Sequence, residues 1–333
     1  PGDSSVDENQ INYEYDELGR LVKKQDSFGT VTELEYDQLS QLTGTIVRDE
    51  NNQVKIAEYK TYNGNGQVLT QTDGNSVTTT YEYNSLNLLK TQTKDGKTTS
   101  YTYDNNSNLQ AETDWRGNTY TYSYDELNRL QQKRDPYNNT IETLVYYKNG
   151  AQKQSIDALG NVTTFYYDGN GRLVKTEDPE GNIILTEYDG DGNVIRSTDG
   201  GGNTTEYEYD SAARLISVRN ALNETTAYTY DHNGNMLTQK DGEGNITTYK
   251  YNVRNLPYQR IDDGGEGVAS KTESYTYYAN NLLKTKTDRN GTVISYTYDV
   301  FGRLQKEIAG SLQTSYTYDN NGNQLTIIDS TGI

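Results

Sequence analysis

The sequence predicts an all-β fold in which tandem β-hairpin repeats form a curved, spiralling antiparallel sheet, an open shell or a solenoid. Three observations predict it. A tyrosine recurs at near-constant spacing, the residues leading to each tyrosine alternate in polarity, and the stretches between are crowded with Gly, Asn and Asp. The anchors are Tyr15, Tyr36, Tyr62, Tyr83, Tyr103, Tyr124, Tyr146, Tyr167, Tyr188, Tyr209, Tyr230, Tyr251, Tyr277, Tyr298 and Tyr318. Of the fourteen intervals, nine are 21 residues, two are 20, one is 22 and two are 26. Self-similarity at a fixed period of this length is the mark of a repeat array.

Each element of the repeat follows from its residues. In Thr204–Tyr209 the period-two pattern of Thr and Tyr is a strand signal. It sets Thr205, Tyr207 and Tyr209 on one face and Thr204, Glu206 and Glu208 on the other. A first turn follows, often Asp-x-x-Gly-Arg or Asp-x-x-Asn-Arg, as at Asp16–Arg20, Asp125–Arg129 and Asp299–Arg303. A second strand, such as Arg172–Thr176, then closes in a Gly/Asn-rich second turn, such as Asp178–Asn182. Gly and Asn supply the positive φ that tight turns need. Both 26-residue intervals, Tyr36 to Tyr62 and Tyr251 to Tyr277, carry inserts expected in loops on one edge of the array; the second contains Asp262–Gly267. Residues 1–10 read as a flexible lead-in or expression remnant, and residues 11–333 as one continuous domain of fifteen repeats.

Composition explains why such a chain must fold as a thin sheet. Only 32% of the 333 residues are apolar, and 32 of the residues are Tyr, against Phe 3, Met 1, Trp 1 and Cys 0. An aliphatic core of ordinary thickness is not expected. An isolated hairpin is marginal in water, but hairpins paired in series align their tyrosines into ladders. Tyr buries its ring while its hydroxyl can reach water. The net charge of −18 argues against nucleic acid and anionic lipid as partners. No apolar run is long enough to span a bilayer as a helix, and the lack of Cys removes disulfides and thiolate chemistry.

The unit Tyr-x-Tyr-Asp-x-x-Gly-Arg-Leu, complete at Tyr13–Leu21 and Tyr296–Leu304, resembles the YD repeat, also called the RHS repeat. The resemblance runs over roughly residues 11–333 and is specific because the unit recurs fifteen times. It implies kinship with bacterial Rhs and Tc toxins, with wall-associated repeat proteins and with teneurins. From it follow a secreted or cell-surface location, with the targeting signal outside this chain, and a β-spiral shell that encloses or presents a C-terminal cargo domain. The chain itself is expected to be a piece of a longer array. The implied partners are neighbouring repeats and that cargo, together with glycans as a second possibility. The family's toxins carry an Asp-Pro-x-Gly motif beyond the repeats; Asp178–Gly181 has the letters but occupies an ordinary turn position.

No catalytic residue and no cofactor are expected. The sole histidine, His232, falls in a repeat turn, and an Asp in most repeats makes any chosen carboxylate pair uninformative. The loop beginning at Asp189 and Asp191 resembles half of a calcium loop, but position 12 is Gly200 where a bidentate Glu is required. These residues read first as turn formers, and no metal is expected beyond weak calcium binding there. Trp115, at a turn, is the candidate glycan-stacking residue. The Asn-x-Thr sequons at Asn161, Asn203, Asn223, Asn245 and Asn290 arise from turn Asn preceding strand Thr and say little about the source.

Overall fold

The computed structural model describes residues 11–26, 29–264 and 269–330. The lead-in of residues 1–10 and much of the insert at 262–267 lie outside the described residues. Thirty antiparallel strands form one open sheet, and no helix occurs among the described residues. The predicted all-β repeat of hairpins is what the chain adopts.

A representative hairpin joins Thr204–Tyr209 to Leu215–Arg219. Its register runs Glu206↔Arg219, Tyr207↔Val218 and Glu208↔Ser217, then slips at the anchor, where Tyr209 faces Leu215. The same slip falls at Tyr15, Tyr124, Tyr167, Tyr188 and Tyr230. Pairing to the next hairpin, Ser217↔Ala227 through Arg219↔Thr225, has no slip. The extra residue is thus a β-bulge that recurs beside the first turn, where it sharpens local twist, and slips beside a second turn occur as well, at Arg48 and Arg134.

Both turns use one device. At Asp16 the amide donates to the Arg20 carbonyl at 2.9 Å, and the Gly19 amide donates to the Asp16 carbonyl at 3.0 Å. One carboxylate oxygen of Asp16 accepts the Leu18 and Arg20 amides. At the second turn Asp114–Asn118 the same bonds recur, with the Arg116 and Asn118 amides on Asp114 Oδ1. The fourth position sits at positive φ, +77° at Gly19 and +87° at Gly117, which is why Gly, or Asn as at Asn128, stands there. The Asp-Pro-x-Gly letters at Asp178 form another such turn.

Departures from the 21-residue period have local causes. The two 20-residue intervals end at Tyr103 and Tyr318, and in each the second turn shrinks to a tight reversal. In the first, Asp95 (φ +51°) and Gly96 (φ +70°) form a two-residue turn of the Asp-Gly kind. In the second, Ala309 pairs with Leu312 around Gly310. The interval from Tyr36 to Tyr62 corrects the expectation of a loop insert. Its five extra residues lengthen two strands, Leu42–Arg48 and Val54–Tyr62, which are 7 and 9 residues long instead of the usual 5 and 6. The turn between them keeps its usual bonds from Asp49 to Gln53. Extra residues placed in a ladder retain their backbone partners, which a loop would leave to water.

No apolar side chain among the described residues is fully buried; the interior is spread thinly as half-buried faces along the sheet. The buried polar residues among those described are Thr30, Asp49, Thr79 and Glu273. The chain divides into two compact units. Unit one gathers Pro1–Thr98, Asn252–Gln259 and Thr272–Ile333; unit two gathers Thr99–Tyr251 and Arg260–Lys271.

Candidate functional site: the joint between repeats

The feature that recurs with the repeat, and that the motif residues build, is the joint from one hairpin to the next. The anchor tyrosine crosses it first. Tyr209 Oη donates to the Val194 carbonyl, at the start of the second strand of the preceding hairpin, at 3.0 Å. Equivalent bonds run from Tyr36 to Leu21, Tyr62 to Leu42, Tyr83 to Val68, Tyr124 to Leu109 and Tyr146 to Leu130. They continue from Tyr188 to Leu173, Tyr230 to Leu215, Tyr251 to Met236, Tyr277 to Pro257 and Tyr318 to Leu304. The accepting carbonyl lies at the bulge, where the ladder is interrupted and an oxygen needs another donor. Burial pushes the phenols of Tyr83, Tyr103, Tyr124, Tyr209, Tyr251 and Tyr277 above their ordinary pKa of 10.0, so they stay protonated and able to donate.

The motif arginine crosses the joint in the other direction. Arg172 Nε donates to its own turn's Asp168 Oδ2 at 2.7 Å. Its Nη1 donates to the Asp189 carbonyl in the next first turn at 2.9 Å, and its guanidinium lies 4.7 Å from the ring centre of Tyr188. Arg20, Arg129, Arg214 and Arg303 do the same toward Asp37, Tyr147, Asp231 and Asp319. Their guanidinium groups stack on Tyr36, Tyr146, Tyr230 and Tyr318. The planar fork permits all three contacts at once, which an ammonium could not reproduce. The Asp168 carboxyl is held below its ordinary pKa of 3.8, chiefly by the Arg172 amide and then by its side chain. At Asp210 the Arg214 side chain leads and its amide follows.

This arginine clamp is not apparent from the motif alone, because the carbonyls it bonds lie 16 to 18 residues downstream and meet it only through the sheet. A sequence signal does exist: the Arg four residues after the turn Asp is followed by the next Tyr-Asp pair at that distance. Two of the joints that lack this arginine use a tyrosine instead. Tyr147 stands where the turn Asp is expected, donates to the Phe165 carbonyl at 3.0 Å, and packs edge-on against Tyr167 at 6.3 Å. Tyr278 does likewise with the Tyr296 carbonyl and Tyr298.

The remaining candidates fall as follows. Trp115 lies at the second position of a second turn, half-exposed, with the Arg116 guanidinium 4.7 Å from its ring centre. Asp189 spends its carboxylate on its own turn: Oδ1 accepts the Asp191 and Asn193 amides, and Oδ2 accepts Asn193 Nδ2. Asp189 and Asp191 border an open cleft of about 770 Å3 with Tyr207, Tyr209 and Asp210. No group of three or more His, Cys, Asp or Glu side chains gathers as a metal would require among the described residues. His232 is exposed at a first turn. No helix among the described residues is long and apolar enough to cross a membrane.

Repeated hairpins, tied to their neighbours by the anchor tyrosines and at several joints by arginine as well, define a tandem-repeat protein of one β-sheet. The family model described as Teneurin YD-shell matches residues 107–260, and RHS Repeat matches residues 13–53, 62–96, 87–119 and 277–311. The chain belongs to the YD-repeat, or RHS-repeat, family. No curated protein matches it by sequence.

Solved structures share the fold. The crystal structure of TcdB2-TccC3-Cdc42 is similar with a TM-score of 0.59 and 17% identity, over 99% of this chain and 21% of that one. The Photorhabdus luminescens Tc holotoxin pore, carrying a TccC3 substitution, gives 0.59 and 16%, over 98% and 23%. TcdB2-TccC3 without its hypervariable C-terminal region gives 0.60 and 17%, over 98% and 21%. The chain therefore spans about a fifth to a quarter of the length of these proteins.

Proposed function

We propose that this chain is a structural shell or scaffold segment of a large secreted or cell-surface protein. It forms part of the wall of a hollow β-spiral that encloses or presents a C-terminal toxin or effector domain. The observation that carries this reading is the recurring joint. Its polar groups are committed to holding adjacent hairpins, so the motif residues serve the wall and not a reaction. The anchor tyrosines are the structural ladder of that wall, most of them securing the carbonyl left at a bulge. The likeness in fold to TcdB2-TccC3 and the match to a YD-shell model support the same reading.

Small-angle X-ray scattering on the monomer tests it. A compact globule of this length has a radius of gyration of about 20 Å. A wall segment is expected to exceed that and to show a depleted centre in its pair-distance distribution; a compact, filled profile would overturn the reading. A carbohydrate-binding role rests on the exposed indole of Trp115. Under that reading Trp115→Ala abolishes retention on a glycan surface, and unchanged retention rules it out at this site.

A further inference from the structure

Antiparallel hairpins in series place every first turn on one edge of the sheet and every second turn on the opposite edge. Within unit one these two edges meet. The Thr30 hydroxyl, from a second turn, donates to the Val300 carbonyl of a first turn at 3.3 Å. Asn75 Nδ2 donates to Asp319 Oδ2, the Asn320 amide donates to Asn75 Oδ1, and Asn321 Nδ2 donates to Asp73 Oδ2, each at 3.0 Å. The approach is close: a Cβ at Gly74 would lie 2.7 Å from the Asn320 carbonyl oxygen. A second-turn edge is therefore a seat for a first-turn edge.

Second-turn side chains, Thr30 and Asn75, reach across from one edge, and from the other edge the third residue of the first turn does so. Asn321 holds that position in Asp319–Asn323, and Phe301 holds it in Asp299–Arg303, where it lines a cleft of about 600 Å3 beside Asp26 and Asp49. In the first two first turns the same position is apolar and open to solvent: Leu18 and Leu39 are 72% and 69% exposed. On the second-turn edge of unit two, three successive turns carry Trp115, Tyr137 and Leu159, exposed by 50%, 86% and 86%. Successive turns on either edge lie two strands apart, about 9.6 Å, so the two apolar rows share one pitch.

We propose that the Trp115–Tyr137–Leu159 edge is a docking surface for the first-turn edge of a second copy of this chain, with Leu18 and Leu39 seated upon it. The occupant follows from the chain itself, which displays this edge-on-edge contact in polar form and carries both apolar halves. The contact is heterologous, so copies add head to tail. Each copy carries a net charge of −18. Repulsion between copies therefore opposes the contact, and added salt strengthens it.

The test uses the full chain and its single tryptophan. Sedimentation and tryptophan emission are followed together over roughly a hundredfold range of concentration. Mass is expected to rise with concentration, more at high salt, while emission shifts to the blue as Trp115 is covered. The double variants Tyr137→Asp/Leu159→Asp and Leu18→Asp/Leu39→Asp alter exposed turn positions and should keep the far-ultraviolet circular dichroism of the parent. Each is expected to weaken self-association by about tenfold or more, and an equimolar mixture of the two to recover a one-to-one complex. A chain that stays monomeric throughout overturns the proposal. So does association that leaves Trp115 emission unmoved, which is the signature of pairing through the open strand edges. Failure of the mixed variants to recover a complex overturns it as well.

Discussion

The joint after Asp168 and the joint after Tyr147 solve one problem with different chemistry. At the first, an arginine holds its own turn carboxylate, the next turn's backbone and the next anchor's ring. At the second, Ala151 occupies the arginine's place, and a single tyrosine at the head of the turn supplies both the backbone bond and the ring contact. What the repeat requires is a side chain long enough to pass from one hairpin to the next and end in a donor. The aspartate–arginine pair is one way to provide it. The charged joint should respond to acid and the aromatic joint should not.

Substitutions can break this comparison in graded steps. Tyr209→Ala removes both a half-buried ring and its hydroxyl, and is expected to lower the free energy of local opening around residues 194–209 by about 2 kcal/mol, read by native-state hydrogen exchange. Arg172→Ala should speed exchange across the joint to Ile183–Tyr188 by about tenfold. Arg172→Lys should recover little of it, because an ammonium lacks the fork. Tyr209→Phe keeps the ring and loses only the bond to Val194, so about 1 kcal/mol is expected by the same measurement.

The sharpest separation is by pH. The carboxyl of Asp168 titrates below its ordinary value of 3.8 in the folded chain. Its contribution is therefore complete above that value and is lost as pH falls through the lower folded one. Exchange at the joint to Tyr188 should accelerate below about pH 4, while the joint from Tyr147 to Tyr167 holds. The double substitution Tyr147→Asp/Ala151→Arg should transfer this acid sensitivity to the second joint with a small effect at neutral pH. In alkali it is the anchor phenols that respond. The Tyr209 phenol titrates above 10.0 when folded, so its contribution is complete below 10.0 and is lost as pH rises through the raised value.

The period, the strand-turn-strand unit and both turn positions were legible because each rests on local chemistry: alternation before Tyr209, Asp at the head of the turn, and Gly or Asn where φ is positive. The long interval before Tyr62 misled because length alone does not say where residues go. Placing a five-residue turn at Asp49–Gln53 leaves the flanking residues to the strands, and that turn pattern was present in the sequence. The arginine clamp and the Tyr147 substitute were hidden for another reason. Their partners are neighbours only across the sheet, at a separation fixed by register, and no window along the chain brings them together. Trp115 was readable as a turn residue, but its partner Arg116 and its place in an apolar row along one edge required coordinates.

A double-mutant cycle at one joint tests most directly whether tyrosine and arginine act together to hold adjacent hairpins. Arg214 stacks on Tyr230 and bonds the Asp231 carbonyl, while Tyr230 donates to the Leu215 carbonyl. Arg214→Ala, Tyr230→Ala and the double variant would be compared by native-state hydrogen exchange over Thr225–Tyr230. A coupling above about 0.5 kcal/mol is expected, because removing either partner deprives the other of its contact. Effects that add to within about 0.3 kcal/mol would mean that the two side chains work independently, and the joint would not be the unit that builds this protein.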